Sequence, residues 1–269
     1  MNYPFALVAV FLVAVSLATY LRLFRFVYTT GGGKVSAEQL TWVDVVFATA
    51  LVFYIVFQSF AHLKTTGPPS AASFSGEQLI LATLLSWALI LGPILISLRA
   101  RGIRVGKLFG FDQLPILRAV VWGVGLLFTA LPLVFGTSEI VTQWLRDRSG
   151  QESQEIIQIF RDSTQPGQRV SIILLAVVIA PVAEELVFRG YLYTVMKRFF
   201  GSLPSLVFTA VLFGLVHVNV PALVPLFVLG CTFTIAYEVT GSLFVPMAMH
   251  ALFNALNLVA VLMFPHDLS

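Results

Sequence analysis

Charged residues are scarce in this chain of 269 residues, at 11% Asp, Glu, Lys and Arg, whereas soluble domains carry about 25%. Hydrophobic residues make up 58% of the chain, and the mean hydropathy is +0.92. Most of the sequence consists of apolar runs of roughly 20 residues, the length that a helix needs to cross a bilayer. This composition excludes an ordinary soluble globular domain and indicates an integral membrane protein.

Cysteine is almost absent, since Cys231 is the only one. A single cysteine cannot form a disulfide within the chain. No basic side chain lies near it in the sequence to activate the thiol. We therefore expect Cys231 to be a small buried apolar residue and not a nucleophile.

Several well-known catalytic and binding motifs are also missing. The sequence has no His-Glu-x-x-His zinc motif, no Gly-x-Ser-x-Gly elbow, no phosphate-binding loop and no dinucleotide-binding glycine pattern. It also lacks the Gly-Asp pair of intramembrane aspartyl proteases. No basic patch is interleaved with aromatic residues, so the net charge of +3 does not indicate a nucleic-acid partner.

The apolar runs predict an all-α, polytopic membrane protein with about eight transmembrane helices in one domain, residues 1–269. The sixth run is short for a full span. A long polar connection at 137–170 should contain a short amphipathic helix around 156–160. Lysine and arginine are more frequent in the first, third and fifth loops, which favours both termini outside the cytoplasm. The membrane would be the plasma (inner) membrane in a prokaryote. The predicted segments are 5–26, 42–60, 79–98, 116–136, 171–196, 203–218, 221–239 and 242–264.

Three charged residues, Glu184, Glu185 and Arg189, lie within one of the most apolar stretches. Each charge at the centre of a bilayer costs about 2.5–3.5 kcal/mol, so such residues commonly mark a working site. On a helix, Glu185 and Arg189 are four residues apart and can pair. Glu184 projects about 100° away, which leaves it free to act as a general base. The alternative is a structural network that holds helices together.

Polar residues also interrupt the later apolar segments. His217 ends the sixth segment, whereas His250 and Asn254 share one face of the last. Interhelical hydrogen bonds worth about 1 kcal/mol would explain them, and so would hydrogen-bond donors directed at a developing oxyanion. The pattern itself leaves both interpretations open. Of the other acidic residues, we expect Glu238 to face a loop and Asp44 to favour a helix N-terminus.

Three ordered motifs stand between about 170 and 260. This arrangement resembles the CPBP family, the CAAX protease and bacteriocin-processing (Abi) membrane proteins, which includes the type II CAAX prenyl proteases. The first 165 residues carry none of the three motifs. The motifs are Glu184-Glu185-x-x-x-Arg189, Phe213-x-x-x-His217 and His250-x-x-x-Asn254.

The resemblance implies an intramembrane endopeptidase that uses a glutamate to hydrolyse a membrane-associated or lipidated peptide. Glu184 would activate water with help from His217, and His250 and Asn254 would form the oxyanion hole. The catalytic cavity should lie between the C-terminal helices, at the fifth, sixth and eighth segments. Supporting roles would fall to Glu185, Arg189 and Phe213.

The residues leave the question of a metal cofactor open. Glu184, His217 and His250 together resemble a zinc ligand set. Because they are scattered over three helices without a local binding motif, we favour hydrolysis without a metal, with zinc as the alternative. A different class of function would be a non-catalytic bacteriocin-immunity or scaffold protein. A proton-coupled transporter using the buried carboxylates ranks below both, since the chain shows no paired broken-helix repeats.

Overall fold

The structure is a computed structural model that describes residues 3–31, 33–64, 75–145 and 166–263. These residues form helices and short connections, and no strand occurs among them. The all-α prediction is confirmed. The amphipathic helix expected around 156–160 lies outside the described residues.

Nine helices occur in the described part of the chain, and seven of them are long and apolar enough to cross a membrane. The exceptions are the four-residue α4 and the 14-residue α7. At 1.5 Å per residue, α7 spans about 21 Å, short of the roughly 30 Å hydrocarbon core. The described residues thus hold seven candidate spans, compared with the about eight expected from the sequence. The helices are α1 (Tyr3–Thr29), α2 (Trp42–Lys64), α3 (Gly76–Ala100), α4 (Val105–Leu108), α5 (Ile116–Leu145), α6 (Pro166–Phe200), α7 (Ser202–Leu215), α8 (Val220–Thr240) and α9 (Phe244–Met263).

The polar connection expected at 137–170 is helical at both ends within the described residues. α5 continues to Leu145 because Ile140 and Trp144 extend its apolar surface toward the lipid. α6 begins at Pro166, a residue suited to the first helical position because it lacks the N–H that would have no partner there.

Helix α8 lies at the centre of the bundle. It packs against α5, α7 and α9, and α5 in turn contacts α1. The α7–α8 contact is close because it is built on glycine: a Cβ at Gly230 would meet Ala210 at 3.2 Å, and one at Gly214 would meet the Leu223 carbonyl oxygen at 2.9 Å. Large apolar side chains on α1, α2 and α3 point outward, as lipid-facing helices require.

Helix α6 contains two π-helical stretches, Leu175–Ile179 and Leu186–Tyr193, on either side of 180–185. Such wide turns are rare and occur frequently at functional sites. Side chains bond carbonyl oxygens in both stretches. The Thr194 hydroxyl donates to the Arg189 carbonyl at 3.0 Å, and the Asn254 amide donates to the Ala176 carbonyl at 2.8 Å. The glutamates of the first motif thus lie between two widened turns of one helix.

Glu238 does not face a loop, contrary to the expectation from the sequence. It is fully buried and accepts from Lys197 Nζ at 2.6 Å and from the Val35 backbone N–H at 3.3 Å. The segment after α1 folds over the end of α8 and encloses the carboxylate. Gly33 permits this approach, because a Cβ there would lie 2.3 Å from Glu238 Oε2.

Asp44 occupies the N-terminal turn of α2, as expected, and accepts from the Thr41 backbone N–H at 2.8 Å. It also forms a two-pronged ion pair with Arg101 at the end of α3. The Tyr191 hydroxyl donates to the same carboxylate at 3.2 Å. Asp44 therefore ties α2 and α3 to the second π-helical stretch of α6.

Candidate active site

The predicted pair of Glu185 and Arg189 is present, at 2.8 Å between Oε1 and Nη1, with both side chains fully buried. The same carboxylate oxygen lies 2.9 Å from Nδ1 of His250 on α9. Because a carboxylate accepts and Arg189 carries the compensating charge, Nδ1 of His250 is the donor in this contact. Glu185 thus fixes the imidazole ring with its Nε2 directed away from Glu185.

The Arg189 guanidinium is enclosed by aromatic rings and a backbone carbonyl. Nη2 donates to the Gly230 carbonyl at 3.1 Å, and the guanidinium carbon lies 4.5 Å from the Phe213 ring centre and 5.2 Å from that of Phe233. Cation–π contacts of this kind are worth about 2 kcal/mol when desolvated. Phe213 also contacts the rings of both histidines edge-on, at 5.0 Å from His217 and 5.6 Å from His250. Phe213 therefore contacts a residue of each of the three motifs.

Glu184 has a different environment from Glu185, as their 100° separation on the helix predicts. Oε2 of each glutamate is buried without a hydrogen-bond partner in the described part of the chain. The two carboxylates differ because Glu185 is paired with Arg189, whereas Glu184 is partly exposed and lies 3.8 Å from Nε2 of His250, beyond hydrogen-bonding distance.

His217 lies in the turn after α7, where its Nδ1 stands 2.8 Å from the Phe213 carbonyl oxygen. A carbonyl can only accept, so Nδ1 carries the hydrogen and Nε2 of the neutral ring is an acceptor. The next residue, Val218, has φ +48°, a conformation that β-branched residues rarely adopt. Strain of this kind is concentrated at functional sites, and here it shapes the turn that presents His217.

Glu184 and His217 line one cavity with a volume of about 300 Å³. Its opposite wall belongs to α2 and α3, which the sequence analysis did not place at the site. The lining comes from α2, α3, α6 and the turn after α7, so the fifth and sixth predicted segments contribute to this cavity, whereas none of its lining residues comes from α9. The residues of the opposite wall are Leu51, Tyr54, Ile55, Gln58, Ser59, Trp87 and Ile90.

Asn254 lies on the same helix as His250, one turn further along, and is not among the residues that line the cavity. One of its two amide hydrogens bonds to the Ala176 carbonyl, so the interhelical hydrogen bond considered for this residue is present. The second amide hydrogen has no partner among the described residues, and its part in an oxyanion hole stays a prediction.

The three candidate zinc ligands do not converge on one point. In the described part of the chain, no three His, Cys, Asp or Glu side chains stand close enough to share a metal ion. The Nδ1 atoms of both histidines are bonded within the protein, to the Phe213 carbonyl oxygen and to Glu185. The arrangement does not fit a zinc site.

Comparison with known proteins places the similarity in the C-terminal part of the chain. Residues 166–256 match the family model described as type II CAAX prenyl endopeptidase Rce1-like. A Bacillus subtilis (strain 168) protein named "Putative membrane peptidase YdiL" is 33% identical over 86 residues, which cover 30% of this chain and 34% of that protein. The chain thus spans about a third of the curated relative that it matches. No solved structure matches significantly. The match confirms the family resemblance that the three motifs indicated.

Proposed function

We propose that this chain is an intramembrane endopeptidase in which Glu184 activates the attacking water. The observation that supports this most directly is the Glu184 carboxylate, which lines a cavity within the membrane-spanning helices and has no ion pair with Arg189. Glu185, its neighbour, is neutralised by Arg189. The Rce1-like match covers the segment that holds these residues.

The attacking water would bind between Glu184 and His217. Both present acceptors to the cavity, the carboxylate of Glu184 and Nε2 of His217, so one water can donate a hydrogen bond to each. Glu184 then takes a proton as the water oxygen attacks the carbonyl carbon of the scissile bond. A positioned general base of this kind contributes about 10²–10⁴-fold in rate.

The tetrahedral intermediate carries its negative charge on the former carbonyl oxygen. His250 can donate to that oxygen only through Nε2, because Nδ1 is bonded to Glu185. In this mechanism His250 would carry hydrogens on both ring nitrogens, and Glu184 would act as a carboxylate. The free amide hydrogen of Asn254 would be the second donor. As the carbon–nitrogen bond breaks, Glu184 returns its proton to the departing amine, and the products are a carboxylate and an amine.

The substrate class follows from the family description and from the cavity. Type II CAAX prenyl endopeptidases act on lipidated C-termini, and the cavity wall opposite Glu184 is mostly apolar. We therefore propose a peptide whose C-terminus carries a prenylated cysteine followed by three residues.

The test uses the full-length protein in liposomes and a fluorescent peptide that ends in a farnesylated Cys-aliphatic-aliphatic-Met sequence. Mass spectrometry should show loss of the last three residues with wild-type protein and none with Glu184→Ala. The same peptide without the farnesyl group and a prenylated peptide without the last three residues are the controls. Cleavage by neither protein would contradict the proposed substrate. Equal cleavage by both would contradict the role of Glu184.

A further inference from the structure

Two polar side chains of α2, Tyr54 and Gln58, face the cavity from the wall opposite Glu184. They stand in a mostly apolar membrane-spanning helix, where unpaired polar groups are costly. Tyr54 lies seven residues before the end of the span at Ala61, or about 10 Å along the helix. It is therefore deeper than the aromatic residues that anchor helices at the membrane surface.

The two side chains are joined by one hydrogen bond, from Gln58 Nε2 to the Tyr54 hydroxyl at 3.2 Å. This bond uses an acceptor site of Tyr54 and a donor of Gln58. The Tyr54 O–H hydrogen and the Gln58 Oε1 atom have no partner within the described residues. The pair therefore presents the Tyr54 O–H donor and the Gln58 Oε1 acceptor side by side, and the second amide hydrogen of Gln58 is a further donor.

A peptide unit presents the complementary pair, an N–H donor and a C=O acceptor. An extended substrate strand in the cavity would have such groups unpaired, because it leaves both water and any secondary structure. Glu184 and His217 hold the water on one side, so the strand must lie between them and α2. The cavity, at about 300 Å³, is at the small end of ligand sites and suits a few residues of peptide.

We propose that Tyr54 and Gln58 bind the backbone of the substrate peptide across the cavity from Glu184: Gln58 Oε1 accepts from a substrate N–H and the Tyr54 hydroxyl donates to a substrate C=O. They recognise the extended main chain and not a particular side chain. This inference rests on the proposed peptidase function and adds the element that positions the scissile bond.

The first test measures binding without turnover. The farnesylated fluorescent peptide is titrated against Glu184→Gln protein in micelles, with and without Gln58→Leu or Tyr54→Phe, and binding is followed by fluorescence anisotropy. Each α2 substitution should raise the peptide Kd about tenfold, the loss expected for one or two hydrogen bonds. Phe57→Leu is the matched control, because Phe57 lies on the same helix but points to the lipid. It should leave Kd unchanged.

The second test identifies the contact by N-methylating the substrate backbone, one amide at a time. N-methylation at one position should weaken binding about tenfold in protein that retains Gln58. The same methylation should have no further effect in Gln58→Leu protein, because both changes remove the same hydrogen bond. In otherwise wild-type protein, Gln58→Leu should raise KM with kcat within twofold of wild type.

Separate results overturn the inference and the proposed function. An unchanged Kd in both α2 variants, or no peptide binding to Glu184→Gln protein, overturns the backbone contact even where wild-type protein cleaves the peptide. Weakened binding in the α2 variants of a protein that cleaves nothing supports the contact and overturns the peptidase. Thermal melting of each variant in the same micelles shows that a change in Kd reflects folded protein.

Discussion

Glu185 holds His250 by a contact of 2.9 Å between its Oε1 and the ring Nδ1, although the two residues are 65 positions apart. The same oxygen pairs with Arg189. One buried carboxylate therefore fixes the ring that faces Glu184 and neutralises the cation beside it. Adjacent glutamates in the sequence thus have separate tasks, and the following predictions distinguish them.

Glu185→Ala should destabilise the protein by about 3–5 kcal/mol, because it leaves the fully buried Arg189 without its counter-charge. The thermal midpoint in detergent micelles and the unfolding free energy in denaturant measure this loss. Glu184→Ala is the matched control one residue away and should cost far less. Equal losses in the two variants would contradict the division of roles.

His250→Ala should reduce kcat by about 10²–10³-fold, because it removes a donor to the oxyanion. His250→Gln keeps an amide donor at the same position and should retain more of the rate than His250→Ala. The measurements are kcat and the thermal midpoint of both variants in detergent micelles. A wild-type kcat in folded His250→Ala protein would contradict this role for His250.

Asn254→Ala should lower both stability and rate. Loss of the bond to the Ala176 carbonyl should cost about 1 kcal/mol, whereas loss of an oxyanion donor should reduce kcat by about 10²–10³-fold. Asn257→Ala, one turn further on α9, is the control and should retain kcat. A variant that is less stable but has wild-type kcat would assign Asn254 to helix packing alone.

Glu238→Ala should destabilise the protein by about 3 kcal/mol without changing kcat of the folded fraction, since it leaves the Lys197 ammonium without its carboxylate partner. Thermal melting and kcat per folded molecule separate the two effects. Glu139→Ala, an exposed glutamate near the end of α5, provides the control. A large fall in kcat would show that this cluster communicates with the active site.

The sequence predicts those parts of the site that depend on local geometry or on the ordered motifs. The Glu185–Arg189 pair follows from their i,i+4 spacing. The burial of Glu238 could not be predicted, because Lys197 and Val35, which enclose it, are distant in the sequence. Likewise α2 carries none of the three motifs, and its place in the cavity wall was not predicted, although the polar side chains Tyr54 and Gln58 within its span could have indicated it. The end of α7 at Leu215 could not be predicted either, because it depends on the turn that holds His217.

The central claim is that Glu184 is the base, and Glu184→Gln tests it most directly because glutamine keeps the size of the side chain and removes its charge. Single-turnover cleavage of the farnesylated peptide in liposomes should be about 10²–10⁴-fold slower than in wild type. The thermal midpoint and the peptide Kd should be almost unchanged. Cleavage at the wild-type rate by folded Glu184→Gln protein would contradict the account.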